Sequence, residues 1–319
     1  MRLEADIRST FTDDGVEPFT VDAALEVANG ETLVVLGPSG SGKTLLLEAI
    51  AGFHDHEGYV RIGGREVTDA PPEDRGLGFV FQDYALFPHL TVRENVAFGD
   101  RYHEETRDPD ELLASLGVAD LAERSPPTLS GGERQRVALA RSLAVDPGVM
   151  LLDEPLSALD VPTRQSLRND LATALDAVTG AYVTHNRTTA RALADRIAVM
   201  HDGRIVQRGT PEAVFERPES PMVARFTGAN AIDLAAAPTL RERLDGRPDG
   251  HVAIRPEVVV LDGADGDIRA TVERTAREDA TTRVTCSFDD VTVEAFTDDP
   301  PPAGTEVWVT FPRSALHRC

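Results

Sequence analysis

The sequence predicts an α/β protein with a largely parallel central sheet and a helical subdomain, followed by a small all-β domain. Three observations carry the prediction. In the first half, short β-branched runs alternate with stretches of helical apolar spacing, the order that buries a parallel sheet between helices. Between about residues 83 and 145 the helical pattern dominates. After Gly228 the character changes, and from His251 short alternating strands are separated by Gly, Asp and Pro clusters, as in a small barrel or sandwich.

Thr32–Leu36 (TLVVL) is a β-branched run ending at a glycine, and KTLLLEAIAG, Lys43–Gly52, follows with helical spacing and a terminal glycine. Further buried strands are expected at Leu77–Phe81, Val149–Leu152, Ala181–Thr184 and Arg196–Met200, and helices at Val92–Phe98, Pro109–Leu116 and Glu133–Ala144. Residues 229–250 offer no convincing strand and read as a linker. VAIRPEVVVL, IRATVERT, TRVTCSF, VTVEAF and TEVWVTF then supply the strands of a domain over 251–319. The expected organisation is a principal domain over 1–228, the linker, and a small β-barrel.

The chain has 319 residues and a formal charge of −22. The acid is spread: residues 229–319 hold 17 Asp and Glu against 10 Arg, and the remainder has a similar density. Of the 32 basic residues 31 are arginine, Lys43 being the one lysine. This composition resembles the cytoplasmic proteins of salt-loving archaea, whose carboxylate-rich surfaces stay hydrated in molar salt; an acidic protein from a GC-rich gene is the alternative. In such salt the Debye length is about 3 Å, and net charge says little about partners. No apolar run approaches the roughly 20 residues of a membrane span, and the N-terminus lacks the apolar core of a signal peptide, so the expected location is inside the cell. Cys286 and Cys319 lack the spaced partners of a disulfide framework or zinc site.

GPSGSGKT, comprising Gly37, Pro38, Ser39, Gly40, Ser41, Gly42, Lys43 and Thr44, fits a phosphate-binding loop, since a strand precedes it and a helix follows. Glycines let backbone amides close on phosphate oxygens at the positive end of the helix. Lys43 would neutralise β- and γ-phosphates, and Thr44 would offer its hydroxyl to Mg²⁺. VMLLDEP, Val149–Pro155, delivers two acids at a strand end: Asp153, suited to hold Mg²⁺, and Glu154, suited to polarise an attacking water. LSGGERQR begins with Leu129, Ser130, Gly131, Gly132 and Glu133, a hydroxyl and bare amides at a second helix N-terminus, and hence a second anion site.

With these motifs in this order the chain resembles the ATP-binding cassette (ABC) family, whose signature is the LSGG segment. The resemblance implies an ATPase in which two copies pair head to tail, each signature capping ATP held by the other. It assigns Gln82, in FVFQDYALFPHLTVREN, to the loop that senses the γ-phosphate and Mg²⁺ and faces the membrane subunit, and His185, in YVTHN, to the γ-phosphate switch. Asp160, in SALD, falls in the loop between subunits. For the aromatic that stacks on adenine, Phe11 is the chosen residue and Phe19 the alternative, because residues 12–18 look like an insertion. After His185 the family's acid and glutamine are replaced by Asn186 and Arg187.

The β domain resembles the TOBE/OB-like extension of importer ATPases for molybdate, sulfate, iron, polyamine or sugar. LLLEAIAGF and ARFTGAN are most similar to the molybdate/tungstate group. The implied cofactors are ATP and Mg²⁺. The implied partners are a second copy, transmembrane permease subunits and, indirectly, an extracellular solute-binding protein, with no nucleic acid, which sets the chain peripherally on the cytoplasmic face of the membrane. The rival class is a non-transport ABC ATPase of DNA repair or translation. Those typically carry long coiled-coil insertions or two cassettes, whereas here 84 residues separate Thr44 from Leu129.

Overall fold

A computed structural model describes the chain except residues 13–14, 16, 104, 158–160, 176–177, 245–249, 263–264 and 279; the side chains of 161–163, 166 and 174–175 also lie outside the description. It divides into two compact units, Met1–Arg208 and Gly209–Cys319.

In the first unit Leu3–Phe11 (β1) and Phe19–Val27 (β2) form an antiparallel pair with alternating burial. Thr32–Leu36 (β3) is buried throughout and leads into helix Lys43–Ala51 (α1), which Gly52 ends in the left-handed conformation. Glu57–Ile62 (β4) pairs with β1, and Arg65–Glu66 (β5) pairs with β4. Leu77–Val80 (β6), Val149–Asp153 (β7), Thr179–Thr184 (β8), Arg196–His201 (β9) and Arg204–Gly209 (β10) complete a six-stranded sheet in the order β10-β9-β3-β8-β7-β6. The pairs β9-β3, β3-β8, β8-β7 and β7-β6 are parallel, as the continuous apolar runs predict. A second sheet, β2-β1-β4-β5, is antiparallel, and α1 shares one apolar core with strands of both sheets through Leu46, Leu47 and Ile50.

Helices gather between β6 and β7, at Val92–Val96 (α2), Pro109–Ser115 (α3) and Gly131–Ala144 (α4), with α4 packed on the other two. Val161–Leu175 (α5) and Arg187–Leu193 (α6) follow β7 and β8. The α/β class with a helical subdomain is therefore what the chain adopts.

The second unit opens with helices Pro211–Glu216 (α7) and Pro221–Thr227 (α8). Residues 229–250, expected to be a linker, instead hold strand Asn230–Asp233 (β11) and helix Pro238–Arg243 (α9). Ile232, Leu234, Leu240 and Leu244 are buried in this unit's core, so apolar burial rather than local propensity orders them. His251–Ile254 (β12) pairs with β11 and with His317–Arg318. The expected single strand VAIRPEVVVL is broken at Pro256, which starts a 3₁₀ turn before Val260–Asp262 (β13). Strands Ile268–Glu278 (β14), Thr281–Phe288 (β15), Val291–Thr297 (β16) and Glu306–Thr310 (β17) join β13 in an antiparallel sheet ordered β13-β17-β14-β15-β16, and His317–Arg318 is β18. The C-terminal part is all-β in its sheets, consistent with a TOBE/OB-like domain.

Candidate functional site

The loop at 37–42 is set by close backbone approach. A side chain on Gly37 would begin 2.2 Å from the Met200 carbonyl oxygen, and one on Gly42, at φ 93°, would meet the Phe19 ring at 2.8 Å. Gly203 N, in the β9–β10 turn, donates to the Ser41 carbonyl at 3.0 Å and ties the loop to the sheet. Lys43 enters α1 with its side chain 5% exposed, and Nζ donates to the Pro38 carbonyl at 2.9 Å. Burial pushes its pKa down, partly offset by Glu154 and Asp153.

The two acids come from β7, whose end lies beside β8 with Asp153 opposite Val183. Thr44 Oγ1 donates to Asp153 Oδ1 at 3.0 Å. Asp153 is buried, which raises its pKa to about 6; Glu154 and Glu48 add to the rise, and the Thr44 hydrogen bond and Lys43 oppose it. Glu154 adopts φ 41°, an uncommon backbone state for a residue with a side chain. Its amide donates to the Val183 carbonyl at 3.1 Å, and its carboxylate lies between two basic groups, Oε2 2.8 Å from His185 Nδ1 and Oε1 4.0 Å from Lys43 Nζ. Asn186, where the family has an acid, caps α6 by accepting from Thr189 N at 2.9 Å, a task asparagine performs as well as aspartate. That departure therefore leaves the local backbone intact.

These groups line one cavity of about 620 Å³, which Ser39, Gly40, Gly42, Lys43, Thr44, Gln82, Glu154 and His185 share with Phe19, Leu45 and Ser157. Phe11, expected against adenine, is not among the lining residues. Its ring meets His54 edge-on at 5.0 Å, while its cross-strand partner Phe19 abuts the loop. Two buried hydroxyls have no hydrogen-bond partner among the described residues: Ser41 Oγ, in the expected phosphate loop, and Ser157 Oγ, a lining residue that the sequence did not single out. Serine is too common in loops to have signalled Ser157.

Leu129, Ser130, Gly131, Gly132 and Glu133 line no part of this cavity. They build the start of α4 as a capping box: Ser130 Oγ accepts from Glu133 N at 3.3 Å, and Ser130 N donates to Glu133 Oε2 at 2.6 Å. The Ser130 amide bonded to the carboxylate, with the Ser130 hydroxyl beside it, holds the Glu133 carboxyl below its usual pKa. Asp160 lies outside the described residues.

The chemistry of the donors fits the expected ligands. Thr44 and Asp153 offer hard oxygens of the kind Mg²⁺ accepts, and among the described residues no cluster of three or more His, Cys, Asp or Glu forms an all-protein metal cage. Magnesium held by two side chains and by substrate phosphates needs no such cage. A glycine loop at a helix start, a buried lysine and paired acids at the end of β7, two strands from β3 in the same parallel sheet, define a nucleoside-triphosphate-binding cassette.

A family model described as ABC transporter matches residues 21–157. Among relatives, the sulfate/thiosulfate import ATP-binding protein CysA of Caulobacter vibrioides is 43% identical over 305 residues, 89% of each chain. The molybdate/tungstate import ATP-binding protein WtpC of Thermococcus kodakarensis is 42% identical over 271 residues, 80% of this chain and 82% of that one. A solved dimeric ATP-binding cassette in a post-hydrolysis state, bound to ADP and Pi, superposes with a TM-score of 0.59 at 31% identity, covering 66% of this chain and 99% of that one. The chain belongs to the ABC transporter family, as an ATP-hydrolysing subunit of importer type.

Proposed function

We propose that this chain hydrolyses ATP to ADP and Pi in a site completed by a second copy, and that it drives a permease importing a tetrahedral oxyanion. The observation carrying the reading is the Glu154 carboxylate held between Lys43 and His185 at the mouth of a glycine loop. The γ-phosphate takes Lys43 away from the Pro38 carbonyl, and the freed Glu154 accepts a proton from the water that attacks γ-phosphorus. His185 then contacts the phosphate. Thr44 and Asp153, with Gln82, would hold Mg²⁺, which would supply neutralisation of charge developing on the phosphates. Phe19 stacks on adenine.

Ser130–Glu133 lie outside the cavity, which supports a role at the ATP of the partner copy, with Asp160 in the loop between subunits. The dimeric assembly of the solved cassette supports the same arrangement. Among the described residues no helix is long and apolar enough to cross a membrane, which fits a peripheral subunit on the cytoplasmic face, reaching its solute through a permease and a solute-binding protein.

Sulfate/thiosulfate and molybdate/tungstate importers among the relatives both support an oxyanion solute, with sulfate favoured by its greater frequency among them. The test is ATPase activity of the subunit reconstituted with its permease and binding protein. Stimulation by sulfate or thiosulfate is expected, stimulation by molybdate or tungstate alone selects the second group, and failure of all four refutes an oxyanion solute. The acidic, lysine-poor composition supports a halophilic source, and a melting temperature that does not rise with KCl would overturn that part.

A further inference from the structure

Gln82 sits between two grips applied by one helix. In the last turn of α4, Ser142 Oγ donates to the Phe79 carbonyl at 2.8 Å, before Gln82. One residue earlier, Arg141 Nη2 donates to the Tyr84 carbonyl at 2.9 Å and Nη1 to the Ala85 carbonyl at 2.6 Å, after it. The Arg141 guanidinium also lies 5.6 Å from the centre of the Phe87 ring. Tyr84 and Ala85 have φ of 69° and 44°, two successive residues in the left-handed region that side chains disfavour. Such a pair persists where surrounding contacts over-determine it.

The grip continues to the acids. Tyr84 is 4% exposed, and its hydroxyl donates to the Pro155 carbonyl at 3.3 Å, one residue beyond Glu154. On the far side Asn95, fully buried, holds 87–91 by accepting from Phe87 N at 2.8 Å and donating to the Phe87 and Thr91 carbonyls. The other end of α4 is the Ser130 capping box, about 21 Å away for a helix of 14 residues.

We infer that Arg141 is a positioning residue that couples the two ATP sites: it fixes the Gln82 segment to the helix whose start is the signature, so that engagement of Ser130 by one nucleotide sets Gln82 and Glu154 at the other. This rests on the roles proposed above for Gln82, Glu154 and the signature. The left-handed pair supplies the two-state element. With the guanidinium fork in place, motion of α4 moves Gln82 with it; without the fork, Tyr84 and Ala85 relax toward ordinary backbone states, and α4 keeps only the Ser142 grip on the near side of Gln82.

The experiment compares wild type, Arg141→Ala and Arg141→Lys in MgATP binding, ATPase rate against ATP concentration, and amide exchange over 81–86. Arg141→Ala is expected to lower kcat about tenfold and the Hill coefficient from about 2 toward 1, to leave single-site ATP affinity within about twofold, and to speed exchange over 81–86. Arg141→Lys, which keeps the charge but reaches one carbonyl at a time, falls between. Wild-type kcat and cooperativity in both folded variants would overturn the coupling. If Arg141→Ala does not fold, wild-type behaviour of Arg141→Lys overturns it alone. A wild type that neither hydrolyses ATP nor responds cooperatively refutes the underlying reading instead, which separates the two failures.

Discussion

Replacing Asp153 by asparagine should stabilise the nucleotide-free protein while removing its ATPase activity. Burial holds the Asp153 pKa at about 6, against 3.8 in water. A carboxyl whose pKa rises on folding stabilises the fold fully below its unfolded pKa and loses that contribution as pH rises through the folded value. Above about pH 6 the ionised carboxylate is thus a constant penalty, and about two pKa units correspond to about 3 kcal/mol. Near pH 5 the penalty is about half of that. Asparagine carries no charge, and its Oδ1 can still accept from Thr44, which now donates to Asp153 at 3.0 Å. Denaturant unfolding in chelator, at constant salt, should show Asp153→Asn more stable by up to about 3 kcal/mol near pH 7.5 and by about half as much near pH 5. Added Mg²⁺ and ATP should stabilise the wild type more than the variant, which keeps the glycine loop and Lys43 but lacks the Asp153 carboxylate. A variant no more stable at pH 7.5, or a gain equal at both pH values, would refute the reasoning.

Glu154→Gln should bind ATP normally, lose turnover by about 10² to 10⁴, and accumulate an ATP-dependent dimer on size exclusion; full turnover would remove Glu154 as the base. Phe19→Ala should weaken ATP binding about five- to tenfold in a fluorescence titration, the worth of one aromatic contact, and Phe11→Ala should leave it within about twofold. Equal losses in both would refute the placement of Phe19. Ser130→Ala should lower stability by about 1 kcal/mol through loss of the α4 cap, and should depress turnover without weakening ATP binding to the monomer. Weakened monomer binding would place the signature at its own chain's nucleotide.

What could be read without coordinates was whatever local chemistry forces. A buried strand, a glycine loop and a helix follow one another at 32–52 because each has a local signature, and all three form within a residue of expectation. The pairing of Phe11 with Phe19 is different in kind. Both face the same side of one hairpin, and only the position of β2 against Gly42 decides which ring reaches the cavity. Strand Asn230–Asp233 escaped for a related reason: its partners, His251–Ile254 and the core around Leu240, lie elsewhere in the chain. The break at Pro256 was legible in principle, since proline resists a continuous strand, and the apolar run on either side masked it. Arg141 could not be seen at all, because it acts through two backbone carbonyls 56 and 57 residues away, and carbonyls carry no sequence.

The same distinction explains the single lysine. Arginine serves at 31 of the 32 basic positions, so this chain accepts a guanidinium almost anywhere a cation is exposed. Lys43 is not exposed: it is 5% accessible, donates to one carbonyl at 2.9 Å, and faces the Glu154 carboxylate at 4.0 Å. A compact ammonium can turn its three donors from the Pro38 carbonyl to a phosphate, whereas a planar fork with five donors needs a wider site and strands some of them in a buried one. Unmet buried donors carry a penalty of about 1 to 3 kcal/mol, so Lys43→Arg should fold, keep its melting temperature within a few degrees, and bind ATP about a hundredfold more weakly. An arginine variant that bound ATP within about threefold of wild type would mean that lysine persists at this position by accident, and that shape at the phosphate loop plays no part in keeping it.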